Sequence, residues 1–315
     1  MTREDTMKVM KFGGTSVGSP QRMKNVVELI ADGEQNMVVL SAMSGTTNSL
    51  LEIADYLYKQ NLEGAGLCIN KLEEKYKAHI NELYSTDEYK QKAWLTIHAI
   101  FDTIRTCTKG LFSEKEEKII VAQGEMMSTN MMTYYLLEKG YKVALIPALE
   151  YMRTNEDCEP DFKYIQDHLQ QQLALYPDAE IIITQGFICL NHAGEIDNLK
   201  RGGSDYTASL VGGAIEASEI QIWTDIDGMH NNDPRFVPNT TPVGHLHFDE
   251  AAELAYFGAK ILHPTCILPA KYANVPVKLL NTMDPTAPGT IISNMIEHRK
   301  IKAVAAKDNI VAINI

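Results

Sequence analysis

Short runs rich in Val and Ile alternate along this chain with amphipathic segments of helical length. The runs lie at residues 9–12, 37–40, 142–146, 181–188, 220–223 and 275–280. Because strands separated by helices pair mostly in parallel, the alternation predicts an α/β fold: a mainly parallel central sheet flanked by helices on both faces, a three-layer sandwich. Between about residues 50 and 138 the strand signals give way to long, charged, helix-periodic segments, which predicts a helical insertion beside the sheet.

The charge of the chain limits its partners. The formal net charge is −12 over 315 residues, and the Lys and Arg residues are scattered singly. Nucleic acids and anionic membranes are bound through clustered positive charge, so we expect neither as a partner and favour a small ligand. The first residues lack the apolar core of a signal peptide, and no stretch approaches the ~18 apolar residues that a membrane span needs. The sequence therefore predicts a cytoplasmic protein.

No metal site is evident in the sequence. Five cysteines, an odd number without a C-x-x-C pair, are typical of reduced thiols, and we assign them no metal or redox role. His245 and His247 are separated by one residue and have no evident third ligand. The pair therefore favours a structural role over a metal site.

The first predicted strand runs directly into a glycine-rich turn, Gly13-Gly14-Thr15-Ser16. The backbone N–H groups of such a turn suit a phosphate at the positive end of a following helix, because glycine allows close approach. An ordinary strand-to-helix turn explains the same residues, so this stretch alone leaves both interpretations open. It is not a Walker A loop, since Ser19-Pro20 stands where Lys and Ser or Thr are needed. The dinucleotide fingerprint also fails, because Ile69 follows Gly64-Ala65-Gly66 at the third glycine position.

Three further polar stretches follow predicted strands, at the edge of the sheet where α/β proteins bind ligands. Residues 41–48 are small and hydroxyl-rich; residues 200–205 combine cations, two glycines and a helix-capping candidate; residues 224–235 carry nearby carboxylates and an Asp-Pro-Arg turn. The first stretch could donate hydrogen bonds to a carboxylate, and the second could bind an anion. The third could surround the ribose and phosphates of a nucleotide. The simpler interpretations are a serine-capped helix start for the first stretch, a surface Arg with a capping Ser for the second, and an Asp-Gly turn for the third.

Two helices are predicted beyond these stretches. One covers residues 206–217, and the other is capped by Asp249 and stops near Pro264. Lys260 lies on a mostly apolar run near the end of the second helix. Its surroundings in the sequence favour a lysine that snorkels from the core or interacts with the negative end of the helix.

Several longer motifs follow one another along nearly the whole chain. They are K-F-G-G-T-S at 11–16, the hydroxyl-rich loop at 41–48, G-E-x-M-S at 124–128, M-R-T-N at 152–155, I-T-Q-G-F at 183–187, R-G-G-S-D-Y-T-A at 201–208, W-T-D-x-x-G at 223–228, D-P-R at 233–235 and F-G-A-K-x-L-H-P at 257–264. In this order they resemble the motifs of the aspartate kinases in the amino acid kinase family. So many long, ordered motifs make a chance match implausible.

The resemblance implies the amino acid kinase fold and transfer of the γ-phosphoryl group of ATP to the side-chain carboxylate of L-aspartate, with Mg²⁺ as the cofactor. It implies that Glu125 holds the substrate ammonium and Arg201 its α-carboxylate. The catalytic residues implied are Lys11, Asp205 and Lys260. Those implied for substrate binding are Ser41, Thr47, Glu125, Arg201 and Ser204. Those implied for ATP binding are Lys11, Gly13, Gly14, Thr224, Asp225, His230, Asp233, Arg235 and Lys260, and no side chain is assigned as a metal ligand.

The resemblance also divides the chain into two parts. Residues 1–300 would form the catalytic domain, with the helical insertion at about 50–138. Residues 301–315, which end in a strand-like run, would begin a truncated ACT-type regulatory domain, and a homodimer is expected when that domain is present. The chain departs from the family pattern at Asn198, Lys200 and His230.

Two other functions are alternatives to aspartate kinase. A sister kinase acting on acetylglutamate, glutamate, carbamate or UMP would share the phosphate-binding residues. Glu125 together with Arg201 disfavours it, because that pair suits a free amino acid with an ammonium and an α-carboxylate. A catalytically silent amino-acid-binding subunit would have no evident need for the lysines and Asp205.

Overall fold

An eight-stranded sheet forms the centre of the computed structural model, which describes residues 7–199, 202–233, 236–257, 262–297 and 301–306. Its strands, in chain order, are β1 (Lys8–Phe12), β2 (Asn36–Leu40), β3 (Val143–Leu145), β4 (Ile181–Gln185), β7 (Ile220–Thr224), β8 (His245–His247), β9 (Val277–Asn281) and β10 (Thr290–Ser293). The strands β5 (Ile188–Leu190) and β6 (Ile196–Asn198) form a separate antiparallel hairpin.

The order of strands across the large sheet is β3-β4-β2-β1-β7-β9-β10-β8. All neighbours from β3 to β9 pair in parallel, while β10 runs antiparallel to β9. The predicted mainly parallel sheet is therefore confirmed. The carboxyl ends of β4, β2, β1 and β7 lie side by side, so the segments that follow these strands meet at one edge of the sheet.

Helices cover both faces of the sheet. They are α1 (Pro20–Ile30), α2 (Thr46–Tyr58), α3 (Leu62–Leu83), α4 (Asp87–Cys107), α5 (Glu114–Glu138), α6 (Phe162–Ala174), α7 (Gly203–Ala214), α8 (Phe248–Tyr256) and α9 (Leu268–Tyr272). The segment predicted as a helical insertion contains most of α2 and all of α3, α4 and α5.

Alternating side chains of the buried strands enter two separate cores. In β2, Val38 and Leu40 pack with α1 to α5, whereas Met37 and Val39 pack with α6 to α9 on the other face. Successive side chains of a strand point to opposite faces, so a strand that is buried on both sides must be apolar throughout. This is why the runs of Val and Ile in the sequence predicted the three layers correctly.

Some predicted boundaries were wrong. The single strand predicted at 181–188 is interrupted, because Phe187 adopts a left-handed φ of 70° and turns the chain into the hairpin. The helix predicted over 206–217 begins earlier, at Gly203, with Gly202 and not a serine at its N-cap.

Two other helix starts also differ from the prediction. The cap of α8 is His247, whose side chain accepts the Asp249 N–H at 3.2 Å, so the predicted Asp249 cap was wrong. The helix after the first glycine-rich turn does not start at the turn; it begins at Pro20, with Ser19 as its N-cap.

A buried carboxylate joins two helices of the insertion. Glu73 on α3 accepts hydrogen bonds from Arg105 and His98 on α4, the latter with 2.8 Å between Nδ1 and Oε1. Burial by itself would raise the pKa of Glu73, but the hydrogen bonds from Arg105 and His98 outweigh it and lower that pKa. Ionised Glu73 is therefore stabilised in the folded protein.

Arg105→Ala should lower the free energy of unfolding near pH 7.5 by about 1–3 kcal/mol, because it leaves a buried carboxylate with fewer donors. A carboxyl with a lowered pKa contributes stability above its unfolded pKa and loses it as the pH falls through the folded pKa. The difference from wild type should thus shrink below about pH 4.5. Urea unfolding near pH 7.5 and below pH 4.5 measures the difference in unfolding free energy between the variant and the wild type. Lys92→Ala is the control, since Lys92 forms an exposed pair with Glu88 on the same helix. An equal loss in both variants would contradict this role.

Candidate active site

A cleft of about 500 Å³ opens at the carboxyl ends of the central strands. It is lined by Lys11 of β1 and the turn after it, the loop after β2 and the start of α2, Phe187 after β4, the start of α7 and one residue of α5. Of the residues predicted from the sequence, it brings together Lys11, Gly14, Ser41, Thr47, Glu125, Ser204 and Asp205. Lys11 and Asp205, which are 194 positions apart in the chain, thus share one pocket, which the parallel order of the strands makes possible.

An ion pair holds the ammonium group of Lys11 in place in the cleft. Lys11 lies near the end of β1, and its Nζ is 2.7 Å from Oδ1 of Asp205 in the first turn of α7. Both side chains are largely buried, at 11% and 16% exposure. The position of Asp205 is itself favourable, because the N-terminal end of a helix stabilises a negative charge. The pair therefore holds the Lys11 ammonium at one place on the wall of the cleft.

The glycine-rich turn packs backbone against backbone on the loop after β2. A Cβ at Gly14 would lie 2.8 Å from the Ala42 carbonyl oxygen, so a side chain there would displace the loop. Ser44 N–H donates to the Gly14 carbonyl at 3.1 Å, and Gly13 N–H donates to the Trp223 carbonyl at 3.3 Å. The Gly13 N–H is thus already engaged. Among the described residues no acceptor is found for the N–H groups of Gly14 and Thr15, which therefore are the donors that this turn can offer a ligand.

Glu125 is a buried carboxylate, and one of its two oxygens has no hydrogen-bond partner among the described residues. It is 4% exposed; Oε1 accepts the Ala42 N–H at 3.0 Å, and Oε2 has no hydrogen-bond partner in the described part of the chain. Burial raises the pKa of Glu125 to about 7. An unpartnered buried carboxylate oxygen is costly, and a cationic group entering the cleft would satisfy it. The geometry therefore suits an ammonium ligand at this end of the cleft.

Of the residues predicted for ATP binding, Lys11 and Gly14 line this cleft, whereas Thr224, Asp225, His230 and Asp233 lie at or after the end of β7 and do not line it. The hydroxyl of Thr224 accepts the Ile226 N–H at 3.3 Å and lies 3.3 Å from Oδ1 of Asp225. His230 uses both ring nitrogens on neighbours, with Asp227 at 2.7 Å and Thr240 at 2.8 Å. It therefore braces its own loop, and the structure does not test its predicted contact with ATP.

Of four further residues predicted for the site, three lie outside the described part of the structure and one lies within it. Arg201, Arg235 and Lys260 lie outside the described residues, as does Lys200. Asp233 is described, and its carbonyl accepts the Phe236 N–H at 3.1 Å. Their parts in binding stay predictions.

Three residues that lie within the motifs quoted from the sequence, but to which the sequence assigned no role, support the cleft. Ser128 donates to the Ser41 carbonyl at 2.8 Å, and Gly124 lets α5 approach Ala42. Gln185, at the end of β4, accepts the Ala148 N–H at 2.7 Å and donates to the Thr129 hydroxyl at 2.9 Å. A signal existed for Ser128, because it stands three residues after Glu125 and so shares its face of the helix.

The structure gives structural partners to the two histidines that the sequence disfavoured as ligands. His245 Nε2 lies 2.8 Å from the Ser293 hydroxyl, and His247 caps α8. Within the described residues, no group of three or more His, Cys, Asp or Glu side chains is arranged to hold a metal ion. None of the helices in the described ranges is both long and apolar enough to cross a membrane.

The fold and the cleft define an α/β protein with a fixed cation and a buried carboxylate in a cleft at the carboxyl edge of its sheet, and one oxygen of that carboxylate has no partner among the described residues. The chain belongs to the amino acid kinase family, whose model matches residues 6–281. Among its relatives, lysine-sensitive aspartokinase 3 of Escherichia coli is 32% identical over 306 residues, which are 96% of this chain and 67% of that protein. Chloroplastic aspartokinase 3 of Arabidopsis thaliana is 34% identical over 331 residues, 98% of this chain and 57% of that one.

Solved structures agree with this assignment. E. coli aspartokinase III in complex with aspartate and ADP, in the R-state, superposes with a TM-score of 0.82 at 32% identity, over 93% of this chain and 65% of that one. Clostridium acetobutylicum aspartate kinase has a TM-score of 0.80 at 23% identity, over 95% and 66% of the two chains, and supports the fold alone. This chain spans about two thirds of the E. coli enzyme and 36% of the bifunctional aspartokinase/homoserine dehydrogenase 2 of Zea mays.

Proposed function

We propose that this chain transfers the γ-phosphoryl group of ATP to the side-chain carboxylate of L-aspartate, giving 4-phospho-L-aspartate, the first step toward lysine, threonine and methionine. One observation carries the proposal: Glu125, a buried carboxylate whose Oε2 has no partner among the described residues, lines the same cleft as the Lys11–Asp205 ion pair. The first group suits an amino acid's ammonium and the second a phosphate. The aspartokinase relatives, and the aspartate and ADP bound to the E. coli enzyme, support the same ligands.

The chemistry needs no general base. A free aspartate side chain has a pKa of about 3.9, so the attacking carboxylate is already ionised at neutral pH. One of its oxygens forms the new bond to the γ-phosphorus while the bond from that phosphorus to the β–γ bridging oxygen breaks and ADP leaves. The obstacle is to bring an anion in line with a polyphosphate, which calls for fixed cations and N–H donors. We assign these roles to Lys11 and the turn at Gly14, which both line the cleft.

The residues present fit a kinase in which Mg²⁺ is bound mainly through the nucleotide. The described side chains form no cage of three or more metal ligands, and Mg²⁺ in such sites usually keeps waters and binds substrate phosphates with one or two carboxylates. Asp205, on the wall of the cleft, is the carboxylate that would lie beside it. The ion supplies neutralisation of phosphate charge, while Lys11 and Asp205 hold their own positions through the ion pair.

The wider assignments rest on the resemblance and on the relatives. We propose that the catalytic domain lies within residues 1–300, and that residues 301–315 begin an ACT-type domain whose presence gives a homodimer. Of the latter segment, residues 307–315 lie outside the described structure. We also propose the cytoplasmic location that the sequence predicts.

The test is ATP-dependent formation of aspartyl hydroxamate from L-aspartate, Mg²⁺ and hydroxylamine. Hydroxamate should form with L-aspartate and not with N-acetyl-L-glutamate, because Glu125 and the predicted Arg201 select a free amino acid. L-Glutamate, which has the same ammonium and α-carboxylate, is tested beside it as the acceptor of a sister kinase. The assay is repeated with millimolar lysine and threonine to learn whether either inhibits the chain. Folded protein that forms none, beside an active control enzyme, would leave the binding-subunit alternative; activity on another acceptor alone would indicate the sister kinase.

A further inference from the structure

Two side chains on one turn of α5 hold both polar groups of a single peptide unit in the wall of the cleft. The Ser128 hydroxyl donates to the Ser41 carbonyl at 2.8 Å, and the Ala42 N–H donates to Glu125 Oε1 at 3.0 Å. The Ser41 carbonyl and the Ala42 N–H belong to the same planar peptide bond. A peptide that is held at its oxygen and at its nitrogen cannot rotate, so its orientation relative to α5 is fixed.

The helix comes close enough to make both contacts because residue 124 is glycine. A Cβ at Gly124 would lie 2.8 Å from the Cβ of Ala42 and 3.3 Å from a methyl group of Leu50. Any larger residue would therefore push the Ser41–Ala42 peptide away from the helix. Gly124, Glu125 and Ser128 act on the same peptide from three positions of one helical face.

The arrangement decides which oxygen of Glu125 faces a ligand. Since Oε1 is held by the Ala42 N–H, Oε2 is the oxygen that remains unpartnered in the described structure. Ser128 itself is fully buried and is absent from the lining of the cleft, so it does not reach a ligand. Its hydroxyl also lies 3.2 Å from the Glu125 carbonyl, but the shorter contact is the one to Ser41.

We propose that Ser128 is a positioning residue for the amino-acid end of the site: by fixing the Ser41–Ala42 peptide, it aims the Ala42 N–H at Glu125 Oε1 and leaves Oε2 free for the substrate ammonium. This inference rests on the proposed function for the identity of that substrate. The peptide also carries the Ser41 side chain, which lines the cleft, so its orientation affects two of the predicted substrate contacts.

The helix does not depend on Ser128 for its own position. The Thr129 hydroxyl donates to the Glu125 carbonyl at 2.7 Å and accepts from Gln185 Nε2 at 2.9 Å, which ties α5 to β4 independently. Removing the Ser128 hydroxyl should therefore release the peptide while α5 stays in place. This separation makes the inference testable by a single substitution.

The experiment compares Ser128→Ala with Thr133→Ala in the full chain. Thr133 is a buried threonine on the same helix, and among the described residues its hydroxyl bonds to the Thr129 carbonyl of that helix alone, at 2.8 Å, so it is a matched control. In Ser128→Ala we expect the KM for L-aspartate to rise about tenfold, the effect of one lost hydrogen bond, with the KM for ATP within about twofold of wild type. Hydrogen exchange of the Ala42 amide should be faster in Ser128→Ala and unchanged in Thr133→Ala.

Each outcome bears on the inference. An aspartate KM or an Ala42 exchange rate equal to that of Thr133→Ala would overturn it, and so would an equal rise in both KM values, which indicates general damage. If Ser128→Ala does not fold, Gly124→Ala takes its place, because the added methyl displaces the same peptide; it should show the same selective rise, and an unchanged aspartate KM would overturn the inference. A wild-type chain inactive on aspartate would contradict the proposed function, and amide exchange would then decide the role of Ser128 alone.

Discussion

Lys11→Ala should reduce kcat for ATP-dependent phosphoryl transfer to L-aspartate by roughly 10²–10³-fold, the range found when one preorganised charge-stabilising group is removed. The ammonium of Lys11 is held 2.7 Å from Asp205 and faces the cleft, so its charge is in position before the substrates arrive. The Lys11 ammonium can therefore stabilise the charge that develops on the transferred phosphoryl group without reorganisation of the site. Loss of the cation therefore affects the transition state more than the binding of aspartate, and the KM for aspartate should change much less than kcat.

The control for Lys11→Ala is Lys8→Ala on the same strand. Lys8 lies at the opposite end of β1 and pairs with Asp32 at 2.6 Å and Glu34 at 2.8 Å, away from the cleft. It should leave kcat close to wild type. Circular dichroism of both variants checks that the fold is retained. Near-normal turnover in Lys11→Ala, in folded protein, would refute the phosphate role of this lysine.

The layers of the fold were predictable because they depend on a local signal. A strand that is buried on both faces must be apolar at every position, and Met37 to Leu40 shows this directly by sending alternate side chains into two cores. The break after β4 was not predictable in this way. Phe187 is turned by distant partners: its N–H donates to the Thr207 hydroxyl at 3.0 Å, and its carbonyl accepts the Leu199 N–H at 2.7 Å. Apolar periodicity carries no information about such contacts.

The candidate site was predictable in its residue types but not in its electrostatics. The motif around Glu125 identified the residue through the resemblance, and its spacing to Ser128 could have revealed a shared helical face. Its partner, however, is a backbone N–H in a loop 83 residues away, which no side-chain pattern encodes. The unpartnered oxygen and the raised pKa arise only when α5 packs on that loop. A sequence motif therefore locates such a carboxylate, while the fold determines its charge.

Glu125→Gln should make the ligand-free protein more stable at pH 8 while it weakens aspartate binding. Burial raises the pKa of Glu125 from its ordinary 4.5 to about 7 in the folded protein. Between those values the folded state retains a proton that the unfolded chain releases, so the stability of the wild type falls as the pH rises through this window and is level above it. A shift of this size corresponds to on the order of 3 kcal/mol. Gln does not ionise and avoids this loss, and its side-chain oxygen can still accept the Ala42 N–H.

Urea unfolding of wild type and Glu125→Gln at pH 4.5 and pH 8 measures this difference. The gain from the substitution should be near zero at the lower pH and reach on the order of 2–3 kcal/mol at the higher one. Glu74→Gln on α3, whose side chain is 73% exposed, controls for the removal of a negative charge. The same gain at both pH values would contradict the assigned titration. An aspartate KM unchanged in Glu125→Gln would contradict the ammonium contact, because a neutral amide cannot replace the charge. A stable but weakly binding variant would mean that the site keeps an unfavourable buried carboxylate because that carboxylate binds the cationic ammonium group of the ligand.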